Sequence, residues 1–181
     1  VFAGRLCAQK RPLMVVEILR RLKKRGLPFQ CIFIGDGELS ANVEKSIRRN
    51  DLKDSVTFTG SVDHETCLNY FAASDILLLP SAYEGISVAL YEAMASGIVP
   101  VVSKVGGHEE VIVGNEGFLI PHGANEVEDY VEKLERLISD PSLKAEMTQA
   151  ARKCIAGFFT AERGVEALLA AIRHAHHHSQ A

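Results

Sequence analysis

Between residues 1 and 103 the chain switches repeatedly between short apolar runs and longer amphipathic stretches. The runs at 1–4, 30–34, 56–59, 75–79 and 99–103 read as strands. Runs without polar alternation, of which Ile76-Leu77-Leu78-Leu79 is the clearest, suit strands buried on both faces. The stretches between them, at 12–24, up to about 49, at 64–72 and at 87–96, read as helices, and Pro12 suits a first helical turn. Strand–helix alternation of this kind implies parallel strands with right-handed crossovers, and so an α/β doubly wound, Rossmann-like sheet. From about residue 124 three helices are expected: one to 139, one after Asp140-Pro141, and one from 160 to about 173. No repeat or long linker divides the chain, which predicts one domain over 1–175 and a disordered tail or expression remnant at 176–181.

Composition removes several function classes. With 20 basic and 23 acidic residues the net charge is −3, which gives no general attraction for a nucleic-acid backbone. No apolar run reaches the roughly 18 residues of a membrane helix, and no charged-then-apolar start resembles a signal peptide. Cys7, Cys31, Cys67 and Cys154 lie far apart, without the spacing of a zinc site or a disulfide framework. A reducing, cytoplasmic setting is expected. The opening Val1-Phe2-Ala3-Gly4, without methionine and at what reads as the end of a strand, suggests a domain taken from a longer protein.

In a doubly wound sheet ligands gather beyond the carboxyl ends of the strands, which here means loops 4–11, 35–38, 60–64, 80–87 and 103–110. Gly35-Asp36-Gly37 lies in one of them, but Ser40 occupies the third glycine position of a dinucleotide fingerprint, so a rim turn is expected. Gly4-Arg5 with Lys10 and Arg11 offers two or three cations to a diphosphate. The helix after Ser87 is apolar on every side except at Glu92, which predicts a buried helix whose carboxylate is paired, at an edge, or bonded to a ligand. Ser87 is placed to cap that helix while its first-turn amides point at an anion, and Glu84 stands one loop earlier. His64 and His108 fall in ligand-side loops without a nucleophile arrangement around them. His174 and His178 have metal-compatible spacing only if helical, and a frayed end is the expectation, with no metal site.

Glu84 and Glu92 are separated by seven residues, and Glu84-Gly85-Ile86-Ser87-Val88 through Gly97 resembles the E-x7-E segment of retaining glycosyltransferases of the GT-B fold, the glycosyl transferases group 1. Gly4-Arg5 with Lys10, Gly35-Asp36-Gly37, Phe58-Thr59-Gly60, Ser74-Asp75, Pro80-Ser81, Gly106-Gly107 with Glu110, and Gly117 to Ile120 recur in the family's order across the chain. Arg11 stands where the family often has glycine, and proline comes one residue late in Gly97-Ile98-Val99-Pro100.

The resemblance implies the carboxyl-terminal, donor-binding half of a two-domain enzyme whose amino-terminal acceptor domain lies outside this chain. It implies Arg5, Lys10 and Glu84 as catalytic residues. Arg5 and Lys10, with amides of Ile86, Ser87 and Val88 near Gly85, would hold the donor diphosphate. Glu92 would accept from the ribose, Glu84 from the transferred sugar, and Val62 with His64 would border the base. The implied donor is a UDP-, GDP- or ADP-linked sugar, with no cofactor or metal, and the reaction builds a glycan, polysaccharide or glycolipid. The full-length protein would then work in the cytoplasm or peripherally at the inner membrane face. A sugar-nucleotide epimerase or phosphorylase of the same architecture, or a non-catalytic nucleotide-sugar sensor, is the alternative. A phosphorylatable receiver module is disfavoured, because Gly4-Arg5-Leu6 replaces the acidic pair it needs.

Overall fold

The computed structural model describes residues 1–85 and 87–178. Strands β1 (Phe2–Ala3), β2 (Cys31–Ile34), β3 (Val56–Gly60), β4 (Ile76–Leu79), β5 (Val99–Ser103) and β6 (Phe118–Ile120) are linked through helices α1 (Pro12–Lys24), α2 (Ser40–Arg49), α3 (His64–Ala72), α4 (Val88–Ser96) and α5 (His108–Val111). Helices α6 (Glu126–Ser139), α7 (Pro141–Phe158) and α8 (Ala161–His178) complete the described chain.

All strand pairings are parallel. One ladder runs β1-β2-β3, with Phe2 opposite Phe33 and Phe33 opposite Phe58. The other runs β4-β5-β6, with Leu78 opposite Val101 and Val101 opposite Phe118. Val1 joins them: its amino group donates to the Ile76 carbonyl at 2.7 Å, and the Leu78 N–H donates to the Val1 carbonyl at 2.8 Å. The resulting order, 3-2-1-4-5-6, is doubly wound and reverses direction between β1 and β4. Phe2, Phe33, Leu77, Leu79 and Val101 are fully buried, as strands covered on both faces require.

Local chemistry explains the element ends. α1 turns Val15, Val16, Ile18, Leu19 and Leu22 inward at helical spacing, with Pro12 in its first turn. α3 is capped by Asp63, whose carboxylate accepts the Thr66 N–H at 2.8 Å. α7 starts in the same way at Asp140, which accepts from Ser142 and Leu143. α4 stops at Gly97, whose φ of 85° favours glycine.

The architecture matches the expected α/β class, with four differences. β6 and the short α5 go unanticipated, because three- and four-residue elements are too short to show a period. α4 is not buried on every side: Leu90, Ala93 and Met94 face the core, but Val88 is 62% exposed at its amino end. α8 continues to His178, past both the expected end near 173 and the start of the expected disordered tail at 176. A helical stretch of alanine and leucine propagates readily, which the histidines do not interrupt. Residues 179–181, Ile86, and the side chains of the histidines from His174 onward lie outside the described residues.

Candidate active site

The topological reversal sets the β1–α1 and β4–α4 loops side by side at the carboxyl end of the sheet. Backbone and side chain stitch them together: the Ala82 N–H donates to the Gln9 carbonyl at 2.8 Å, and the Gln9 amide donates to the Tyr83 carbonyl at 3.1 Å. Between them Lys10 forms an ion pair with Glu84, whose side chain is only 5% exposed. Glu84 is thus a shielded, paired carboxylate rather than a solvated loop residue. Gly4 has no side chain where the aliphatic stem of Lys10 passes, since a Cβ there would lie 3.6 Å from Lys10 Cε.

Gly35-Asp36-Gly37 serves this loop as a support. A Cβ on Gly35 would overlap the Gly4 carbonyl oxygen, and one on Gly37 would lie 2.5 Å from that of Leu6. The two glycines let β2's exit turn press against the Gly4-Arg5-Leu6 backbone. That is the rim turn expected from the missing third glycine.

The three basic residues of the first loop have separate fates. Arg5 is exposed and enters no ion pair among the described residues. Lys10 faces Glu84. Arg11 turns away, forking onto Glu126 with bonds of 2.8 and 2.9 Å, so the third cation of the expected clamp is committed elsewhere. Arg11 also sits in the left-handed region at φ 50°, ψ 49°, which costs a side-chain-bearing residue about 1–2 kcal/mol. A glycine would adopt this conformation at no steric cost; Arg11 is held in it by the two-bond pair with the buried Glu126 carboxylate.

The amino end of α4 opens onto the same cleft. Gly85 and Val88 are exposed, and Ile86 is outside the described residues. Ser87 occupies the N-cap position but makes no cap bond, contrary to expectation; its hydroxyl is buried and points into the protein instead. One turn into α4, Glu92 meets α3. Its Oε1 lies 2.6 Å from His64 Nε2, with Glu92 25% and His64 70% exposed at their side chains. Of the three expected outcomes for this carboxylate, pairing is the one the structure shows, and the side chain is only partly exposed. Val62, half-buried, precedes the Asp63 cap of α3.

His108 is the residue that sequence reading left without a role. It is fully buried at the start of α5; Nδ1 lies 2.9 Å from the Ser103 carbonyl and so carries the proton. Among the described residues Nε2 finds no partner, and neither do the hydroxyls of Ser81 and Ser87. All three belong to the loops at the carboxyl ends of β4 and β5. Burial lowers the His108 pKa, the Ser103 bond and the Glu84 charge oppose this, and the Lys10 charge adds to the lowering. A histidine depressed below its unfolded value of 6.5 contributes stability that is complete above that pH and is lost as pH falls below it. Urea unfolding at pH 7 and pH 5 should therefore show a loss of stability on acidification that is smaller in His108→Gln. An equal loss in both proteins would exclude His108 as a contributor.

Among the described residues no group of three or more histidines, cysteines or acids is arranged to hold a metal ion. Nor is any described helix long and apolar enough to cross a membrane.

Comparison with known proteins bears on the family and the fold. The family model described as "Glycosyl transferases group 1" matches residues 1–154. The chain is 30% identical over 152 residues to an alpha-D-kanosaminyltransferase of Streptomyces kanamyceticus, covering 83% of this chain and 39% of that protein. It is 39% identical over 127 residues to the amylovoran biosynthesis glycosyltransferase AmsK of Erwinia amylovora, covering 66% of this chain and 31% of that one. The chain thus spans well under half the length of these curated relatives. Among solved structures, the C-terminal domain of the group 1 glycosyl transferase LpcC from Francisella tularensis superposes with a TM-score of 0.79 at 24% identity, over 88% of this chain and 85% of that one. The pneumococcal O-GlcNAc transferase GtfA, in complex with UDP and GlcNAc, does so with a TM-score of 0.82 at 21% identity, over 96% of this chain and 35% of that one. These likenesses show the fold, that of the carboxyl-terminal half of GT-B enzymes.

Proposed function

The chain belongs to the glycosyl transferases group 1 family, and from that premise we propose that it is the donor-binding domain of a retaining enzyme that moves a sugar from a nucleoside-diphosphate sugar to an acceptor hydroxyl. The observation that carries this reading is the grouping of Arg5, Lys10, Glu84, the α4 amino end and Glu92 around one topological reversal. In the proposed complex the diphosphate lies over the first turn of α4, where free N–H groups and the helix dipole favour an anion. Arg5, which enters no ion pair among the described residues, would bind it there. Glu92 receives ribose hydroxyls, and Val62 and His64 border the base. Glu84 receives hydroxyls of the transferred sugar.

Breaking the sugar–phosphate bond places negative charge on the leaving diphosphate and positive character on the sugar. Arg5, Lys10 and the α4 amides would stabilise the former, so the proposal needs no metal ion. Lys10, paired with Glu84 in the free chain, would in this complex also face the leaving diphosphate. The acceptor would attack on the face the phosphate leaves, with a phosphate oxygen taking its proton, which gives retention. The acceptor site is assigned to residues outside this chain. The whole protein is proposed to act in the cytoplasm or at the inner membrane face, in glycan or glycolipid synthesis.

Solved proteins of similar fold contain UDP, which makes it the first nucleotide to test, beside GDP and ADP. Calorimetric titration of the folded chain should give saturable binding of one of the three in preference to the others. A folded chain that binds none of them would overturn the assignment.

A further inference from the structure

The bond between His64 and Glu92 joins the α3 and α4 sides of the cleft. His64 is the first residue of α3, and its position is fixed by the Asp63 cap, which holds both the N–H and the hydroxyl of Thr66, at 2.8 and 2.9 Å. Glu92 stands on α4, 28 positions along the chain. An ionised carboxylate only accepts, so the 2.6 Å contact requires the proton on His64 Nε2. Glu92 is thus gripped from α3 at Oε1 alone, and among the described residues Oε2 accepts no hydrogen bond.

We propose that His64 is a positioning residue for ribose recognition: it orients the Glu92 carboxylate so that Oε2 faces the ribose hydroxyls. This rests on the assignment of Glu92 to the ribose. A free glutamate on a helix rotates about three side-chain bonds, and a carboxylate that must also be oriented loses part of the energy of each bond it makes. His64 removes that freedom in advance. It also ties the carboxylate to the 60–64 loop, so the base and the ribose are met by one connected unit. The consequence is specific: His64 governs how strongly the site prefers ribose to deoxyribose and leaves the diphosphate contacts alone.

The test uses the 181-residue chain and whichever of UDP, GDP and ADP it binds most tightly, with the matching 2′-deoxy and 3′-deoxy diphosphates. Calorimetry is run on the wild type, His64→Ala, His64→Gln and Glu92→Gln after circular dichroism confirms folding. His64→Ala should lose about tenfold in affinity for the ribonucleotide, the equivalent of one hydrogen bond's worth of orientation. Because His64 also borders the base, part of that loss should be shared by the deoxynucleotides; affinity for at least one of them should fall less than for the ribonucleotide, so discrimination shrinks. His64→Gln, which keeps an N–H donor, should recover part of the discrimination. An equal loss for ribo- and deoxynucleotides, or no loss at all, overturns the positioning role. If Glu92→Gln leaves discrimination intact, the ribose assignment itself fails; if Glu92→Gln abolishes it and His64→Ala does not, only the role of His64 fails.

Discussion

Gly106→Ala should be among the most damaging single-methyl additions to this protein. Gly106 lies at φ 45°, and a Cβ there would sit far inside van der Waals contact distance of the Glu84 carbonyl oxygen. The obstacle is backbone, so relief requires either the 103–107 loop or the loop carrying Glu84 to move. Dihedral strain and overpacking together should cost roughly 3 kcal/mol, which corresponds to a fall of about 6–12 °C in melting temperature for a domain of this size. Gly26→Ala is the internal comparison. Gly26 has a similar positive φ of 72°, but a Cβ there meets nothing within 4 Å, so it should cost only about 1–2 kcal/mol. Thermal and urea unfolding of both variants measure the difference. Equal destabilisation would mean that the approach of Gly106 to Glu84 carries no energetic weight. At temperatures where Gly106→Ala is still folded, a shift of the Glu84 loop should show as a larger loss in binding of an intact sugar nucleotide than of the diphosphate, and a shift of the 103–107 loop should spare both.

Glu92→Gln should weaken nucleoside-diphosphate binding by about tenfold to a hundredfold. Hydrogen bonds to a charged acceptor are worth roughly 1.5–3 kcal/mol, and the amide lacks the charge. Glu84→Gln should behave differently, and the structure sharpens the contrast. Its loss frees Lys10 from its ion pair, so the diphosphate should bind no more weakly than to the wild type. The intact sugar nucleotide should bind less well, since the sugar's acceptor is impaired. Removing one partner of a largely buried pair also destabilises the fold, so melting curves must precede the calorimetry. Equal loss of diphosphate affinity in the two variants, or loss in neither, would break the division of labour between the carboxylates.

Much of this arrangement was legible before the fold was known, and the reasons are local. α1 and α3 begin and end where proline, an aspartate cap and apolar periodicity put them. β4 and β5 could be read because strands sandwiched between helices are apolar throughout. The positions of Glu84 and Glu92 followed from one odd fact, a single carboxylate in an apolar helix, and from a loop at the ligand-binding end of a strand. β6 escaped because it is short, and the exposure of Val88 escaped because composition reports only what a helix contains. The neighbours on each side of it are outside its reach.

The sequence by itself determined which of the longer segments become strands and helices, and which loops lie at the ligand-binding end, because periodicity, capping and turn chemistry act over a few residues. Only the tertiary structure decided the partners. Lys10 reaches Glu84 across 74 positions, His64 reaches Glu92 across 28, and Arg11 reaches Glu126 across 115. A charge acts strongly only within a few ångströms, so its partner depends on which strands become neighbours. That order, with β1 placed between β2 and β4, is set by how the whole sheet packs. The same packing turned Arg11 from an expected phosphate ligand into a structural tie. It also left the buried nitrogen of His108 and the hydroxyls of Ser81 and Ser87 gathered at the end of the sheet where the cleft lies.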